Sequence, residues 1–133
     1  MIKEITKDYK DHIEQILSYF GKIVPTFESY DHYYIFEENK KWIVLSYIQI
    51  FYERAEILYF WVEEDFRNLK YGTKVLDELL RNLKNQGVEE ISLEVNVNNL
   101  SAIKMYQNNG FEIIRTIKNY YKNEDAYVMF RKL

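Results

Sequence analysis

From Ile91 to Val97 the chain alternates apolar and polar residues, with Ile91, Leu93, Val95 and Val97 set against Ser92, Glu94 and Asn96. A period of two predicts a strand with one apolar face, and it turns Glu94 away from that face. The period then lengthens to that of a helix. Asn99 is a good N-cap, Leu100, Ile103 and Tyr106 fall at helical spacing, and Gly110 followed by Phe111 supplies a left-handed stop with its hydrophobic contact. A second helical pattern occupies Phe66 to Gln86, where Val75, Leu76, Leu79, Leu80 and Leu83 form an apolar stripe and Gly87 ends it.

The remaining patterns are shorter. Ile2 to Thr6 predicts a strand, and Asp8 to Phe20 a helix with Ile13, Ile16, Leu17 and Phe20 inward and Gly21 as its end. Gly21 to Asp31, which holds the only proline, Pro25, reads as a loop or a short second helix. Tyr33 to Phe36, Trp42 to Tyr52 and Glu56 to Val62 predict three strands of an antiparallel meander, the first two joined by a turn around Glu38 to Lys40. In the third, Glu56, Leu58, Phe60 and Val62 are expected on one side and Ile57, Tyr59 and Trp61 on the other. Two largely apolar sides suit a central strand covered on both faces. Phe111 to Ile117 and Ala126 to Arg131 predict the last strands, with KNYYKNED as a polar turn between them. The mixture predicts an α/β fold in one domain, residues 1–133, long enough to bury roughly two-thirds of its unfolded surface.

Composition narrows the function. A 47% hydrophobic and 29% charged chain is an ordinary water-soluble domain. A net charge of −3 and a pI near 5.5 argue against nucleic acid as the main ligand. No cysteine is present, which removes disulfides, thiolate metal ligands and an acyl-cysteine intermediate together. His12 and His32 are far apart and no H-E-x-x-H or G-x-S-x-G pattern occurs, so neither metal nor serine-hydrolase chemistry has support. MIKEITKDYKDH lacks a signal-like apolar core and no run approaches a membrane span, which makes a cytoplasmic location the expectation. Most of the 13 tyrosines read as packing and surface filler.

One pair of residues stands apart. A carboxylate on a strand's polar face, Glu94, is followed on the next helix by a phenol, Tyr106. Acyl transfer from a thioester to an amine needs a base for the amine's proton and an acid for the departing thiolate, and such a pair suits both tasks. The alternative is a solvated glutamate and a core tyrosine.

LEVNVNNLSAIKMYQNNGF, together with KNYYKNEDAYVM, resembles the GNAT superfamily of acetyl-CoA-dependent N-acetyltransferases. Within it the likeness is to the N-terminal α-amine branch, which includes the ribosomal-protein-alanine acetyltransferases; it runs from about Glu56 to Met129. The resemblance implies a mixed, mostly antiparallel central sheet flanked by helices on both faces, with two central strands parting near Val62 and Asn96 to admit the pantetheine arm. It implies acetyl-CoA as cosubstrate and no metal. By position, Glu94 becomes the base, Tyr106 the acid and Glu56 an assistant to Glu94. Trp61, Val62, Arg67, Leu69, Lys70, Tyr71, Gly72, Thr73 and Asn99 become cofactor contacts, and Tyr120 and Tyr121 hold the first residues of an acceptor peptide. Residues 21–31 correspond to a segment that lines the acceptor groove, or form a packed connector.

The phosphate loop departs from the family. The pattern is Arg or Gln, two residues, Gly, one residue, then Gly or Ala; here it runs R-x-x-K-x-G from Arg67 to Gly72, with Lys70 in place of the first glycine. Lys70 is either a recruited phosphate ligand or drift on a solvated loop. The acceptor implied is a protein N-terminus such as that of a ribosomal protein. A lysine side chain or small amine is the other enzymatic reading, and a catalytically weak GNAT-fold module that binds CoA or a protein is the non-enzymatic one.

Overall fold

In the computed structural model, which describes residues 1–133, the apolar runs assemble into one seven-stranded sheet of order β1-β2-β3-β4-β5-β7-β6. The strands are β1 (Ile2–Ile5), β2 (Asp31–Glu38), β3 (Lys41–Phe51), β4 (Arg54–Val62), β5 (Glu90–Asn96), β6 (Glu112–Tyr121) and β7 (Glu124–Lys132). All neighbours are antiparallel except β4 and β5. That parallel pair requires a crossover, which the helix α2 (Tyr71–Asn85) supplies. The expected mixed, mostly antiparallel sheet is therefore present.

Helices cover both faces, as their apolar stripes require. On one face, Val75, Leu76, Leu79, Leu80 and Leu83 of α2 pack with Ile103 and Tyr106 of α3 (Leu100–Asn108) over Ile57, Ile91, Leu93 and Val95. On the other, Ile13 and Leu17 of α1 (Lys10–Leu17) meet Tyr33, Leu45 and Tyr47. Leucines such as Leu76 and Leu83, fully buried, each contribute roughly 1.5–3 kcal/mol. The first helix is shorter than predicted: 3-10 turns at Lys7–Tyr9 and Ser18–Phe20 take its two ends. Leu100, expected on the inner stripe of α3, is instead 72% exposed as the first residue of the helix, whereas Ala102 and Ile103 reach the core.

The two faces of β4 differ from the expected alternation. Tyr47 pairs with Tyr59 and Ile48 with Ile57, so Leu58 is an extra residue and β4 is bulged there. A one-residue insertion inverts the facing of everything on one side of it. Ile57 thus shares the α2 face with Phe60 and Val62, while Glu56, Leu58, Tyr59 and Trp61 lie on the α1 face. The bulge thereby puts Glu56 on the same side as Glu94.

The same bulge marks where β4 leaves β5. Their pairing runs from Arg54–Glu90 to Ile57–Leu93 and stops. The strands part five residues before Val62, earlier than expected, and open a gap inside the sheet. No helix is long and apolar enough to cross a membrane.

Residues 21–31 hold no helix and are tied down as a loop. The Asp31 carboxylate accepts hydrogen bonds from the Thr26 hydroxyl at 2.7 Å, the Glu28 N–H at 3.0 Å, Gln49 at 3.2 Å and the Tyr47 hydroxyl. Burial opposes its charge, but those four donors together hold its pKa below the usual value. The predicted KNYYKNED turn is also shorter: Tyr120 and Tyr121 belong to β6, and only Lys122 and Asn123 make the turn.

Candidate active site

The alternation of β5 places Ile91, Leu93 and Val95 in the α2 core and leaves Glu94 on the α1 face. Glu56 pairs with Ser92, two residues before Glu94, so the carboxylates are diagonal neighbours on one face. Their carboxyls come within hydrogen-bonding reach. Burial first, then the hydrogen bond and the like charge of Glu94, push the Glu56 pKa up to about 7. Near neutrality the Glu56 carboxyl is therefore partly protonated beside Glu94.

Tyrosines enclose this pair. Tyr120 and Tyr121 touch edge to face at 4.9 Å, and both hydroxyls are raised above the ordinary tyrosine pKa by burial and by the nearby charge of Glu94. Tyr59, on the same face of β4, acts on both and packs against Phe20 at 4.9 Å. A chain of rings continues through Tyr47 and Tyr33, which stack at 4.6 Å, to Phe27 of the tethered loop.

Tyr106 approaches from the opposite side. Its ring belongs to the α2 face, edge-on to Phe60 at 6.5 Å and to Phe111 at 5.5 Å. The end of α3 fixes it: Gly110 takes φ +86° and the Phe111 N–H returns to the Tyr106 carbonyl at 3.0 Å. The hydroxyl donates to no protein group. Burial raises its pKa above the usual phenol range, with Tyr121 adding to the effect. Glu94 and Tyr106 thus stand on opposite faces of the sheet, one at each mouth of the gap between β4 and β5.

Beside Tyr106 lies a cleft of ≈ 590 Å³ between β4, the start of α2 and α3. Of the residues expected to meet a cofactor, Trp61, Val62, Arg67, Lys70, Gly72, Thr73 and Asn99 line it. The Leu69 side chain is exposed, and Tyr71 packs on Phe36 and Phe66 while donating to Glu38, so these two offer the cleft only backbone. The N–H groups from Leu69 to Thr73 donate to nothing within the protein; the first intrahelical bond runs from Lys74 to the Lys70 carbonyl at 3.1 Å. Free N–H groups at a helix N-terminus make an anion seat. Lys70 itself is left-handed at φ +66°, the conformation the missing glycine would adopt at low cost. Gly72 is there for closeness: a Cβ would lie 2.7 Å from the sulfur of Met105 on α3.

Two details refine the expected contacts. Glu63 N–H bonds to Ile43 on β3 at 2.8 Å, so by alternation the polar groups of Val62, and not those of Trp61, face the gap. The Val62 carbonyl is taken by Arg67 Nε at 2.8 Å, and Arg67 also lies over the Tyr19 ring at 4.9 Å. Arg67 therefore braces the loop to β4. Asn99 caps α3, accepting from the Ala102 N–H at 3.3 Å.

Sequence reasoning missed the α3 wall of the cleft, formed by Ser101, Lys104, Met105 and Asn108. Their helical spacing, opposite Ile103, was the signal. A second hollow of ≈ 600 Å³ opens between α1 and the β2–β3 turn, where His12 stacks on Trp42 at 3.8 Å. It touches none of Glu56, Glu94 or Tyr106.

A split sheet with a helix N-terminus at one mouth and a carboxylate pair at the other is an arrangement suited to acyl transfer. Residues 2–111 match the acetyltransferase (GNAT) family, and the chain belongs to it. Among its relatives, an N-alpha-acetyltransferase 50 of Danio rerio is 44% identical over 72 residues, 51% of this chain but only 43% of that protein. The [ribosomal protein bS18]-alanine N-acetyltransferase of Escherichia coli K12 is 30% identical over 126 residues, covering 89% of this chain and 85% of that protein. The crystal structure of the ribosomal-protein-S18-alanine N-acetyltransferase from Escherichia coli shares the fold at a TM-score of 0.88 and 21% identity, over 99% of this chain and 92% of that one.

Proposed function

We propose that this chain transfers acetyl from acetyl-CoA to a primary amine, the N-terminal α-amine of a protein, with a ribosomal protein as the favoured acceptor. The observation that carries the reading is the arrangement of Glu56, Glu94, Tyr120 and Tyr121 on one face of the split and Tyr106 at the other. An acceptor peptide lies along the tyrosine-lined α1 face and acetyl-CoA on the α2 face, so the reactants meet only through the gap. The named N-terminal acetyltransferases among the relatives support the choice of an α-amine.

The amine enters between the carboxylates and gives up its proton to Glu94, with Glu56 assisting. An α-amine titrates near 8, so its proton passes to a carboxylate at small thermodynamic cost. The nitrogen attacks the thioester carbonyl, whose oxygen is met by the Val62 N–H. As the C–N bond completes, the nitrogen sheds its second proton, the C–S bond breaks and the thiolate takes its proton from Tyr106, whose hydroxyl is restored by the proton the nitrogen releases. The products are the acetylated amine and CoA thiol. When bound, acetyl-CoA supplies the activated acetyl group; the N–H groups from Leu69 to Thr73 hold its pyrophosphate. The compartment that fits such acceptors is the cytoplasm.

The test is acetylation of a short peptide with a free N-terminal alanine and an internal lysine, beside the same peptide blocked at its N-terminus, with product mass and thiol release as readouts. Acetylation of the free peptide alone is expected. Equal acetylation of both would assign the lysine side chain instead, and turnover of neither would leave the chain a binding module of the same fold.

A further inference from the structure

Adjacent residues of a regular strand face opposite sides of the sheet. Tyr120 and Tyr121 nevertheless both sense Glu94 and touch each other. The cause lies in the register of β6. Ile117 pairs with Ala126 and Tyr121 with Glu124, which leaves Lys118, Asn119 and Tyr120 opposite Asp125 alone. Two extra residues form a bulge, and Asn119 within it is left-handed at φ +55°. Bulges re-aim side chains and take N–H groups out of the ladder.

Asp125 supplies what the ladder lost. Its Oδ1 accepts the Asn119 N–H at 2.9 Å. Its backbone carbonyl accepts the Val97 N–H at 3.1 Å, just beyond the end of the strand that carries Glu94. Asp125, on β7, thus clamps the bulge of β6 to the strand that carries Glu94, and the neighbouring Asn96–Glu124 hydrogen bond ties β5 to β7 beside it.

We propose that Asp125 is a positioning residue for acceptor recognition, holding the β6 bulge so that Tyr120 and Tyr121 together face the Glu56–Glu94 pair. The proposal rests on the reading of those tyrosines as acceptor contacts. Without the carboxylate, the Asn119 N–H has no partner and the bulge relaxes toward regular pairing, which rotates one tyrosine to the far face. Asparagine keeps an acceptor oxygen at this position; valine suits a strand but offers none.

The experiment measures KM for a free N-terminal alanine peptide, KM for acetyl-CoA and amide exchange at Asn119 in wild type, Asp125→Val, Asp125→Asn and Tyr120→Ala/Tyr121→Ala. Asp125→Val should raise peptide KM by about tenfold, in line with misplaced recognition groups, and leave acetyl-CoA KM unchanged. Asp125→Asn should restore both peptide KM and protection of the Asn119 amide. In the Tyr120→Ala/Tyr121→Ala background, Asp125→Val should add nothing to peptide KM. If the tyrosine variant raises peptide KM and Asp125→Val does not, the positioning role is overturned while the acceptor reading stands. If the tyrosine variant leaves peptide KM unchanged, or no peptide is acetylated, the acceptor reading itself fails and this proposal with it. Should Asp125→Val not unfold cooperatively, rapid exchange of the Asn119 amide in the wild type alone overturns the clamp.

Discussion

Lys70→Gly tests how the phosphate loop works. Lys70 sits at φ +66°, ψ 12°, with no side-chain cap for the helix it precedes. An L-residue in that region costs roughly 1–2 kcal/mol, which glycine avoids. Glycine gives back about 0.4–1 kcal/mol through the greater freedom of the unfolded chain. The net expectation is stabilisation by about 0.5–1 kcal/mol, a rise in Tm of about 2–6 °C. Glycine is also the better N-cap, which acts in the same direction. Asn68, also left-handed at φ +62°, is the internal control, since asparagine tolerates that conformation and Asn68→Gly should shift Tm far less. Thermal unfolding with and without acetyl-CoA, with ATP as a nucleotide control, reads both effects. Because the seat consists of backbone N–H groups, acetyl-CoA affinity should hold or improve. A fall in Tm would refute the strain argument. A tenfold loss of affinity, about 1.4 kcal/mol, would show that the ammonium is itself a phosphate ligand.

Two other predictions concern the acid–base groups. Tyr106→Phe keeps the packing against Phe60 and Phe111 and removes only the hydroxyl, so kcat should fall by about 10- to 10⁴-fold with acetyl-CoA binding intact; an unchanged kcat would remove Tyr106 as the acid. For Glu56, whose pKa is raised from 4.5 to about 7, the native state binds the proton more tightly than the unfolded chain. Its contribution to stability is thus full below pH 4.5 and lost as pH rises through about 7. Glu56→Gln should therefore gain on the wild type by about 1 kcal/mol between pH 5 and pH 8 in urea unfolding, a figure discounted for solvent exposure. A difference independent of pH would refute the raised Glu56 pKa.

The parts of the fold that follow from period were legible in the sequence. The alternation of β5 gave the facing of Glu94, and the α2 stripe from Val75 to Leu83 is buried as read. The Asn99 cap and the Gly110 stop of α3 also hold. What failed was register. Leu58 looks like any other strand leucine, yet as an inserted residue it reverses the facing of Glu56 relative to Phe60 and Val62. The insertion at Lys118–Tyr120 likewise turned a presumed turn into strand and brought two adjacent tyrosines to one acid. Both depend on a partner strand distant in sequence, which local pattern does not encode. Leu100 fits the helical spacing but stands exposed at the first position of α3, while Ala102 and Ile103 of the same turn reach the core.

The gap between β4 and β5 also has a mechanical meaning. Only four backbone pairs, Arg54–Glu90 to Ile57–Leu93, stitch the β1–β4 meander to the β5–β7–β6 leaf. Beyond them the sheet is unzipped, with peptide groups of β4 such as that of Val62 turned to an empty slot. An extended amide-bearing arm laid in that slot would meet the Val62 N–H as a strand would, whereas the Val62 carbonyl is already held by Arg67. An arm bound there would act as a guest rung, and its departure would remove a piece of the protein's own seam.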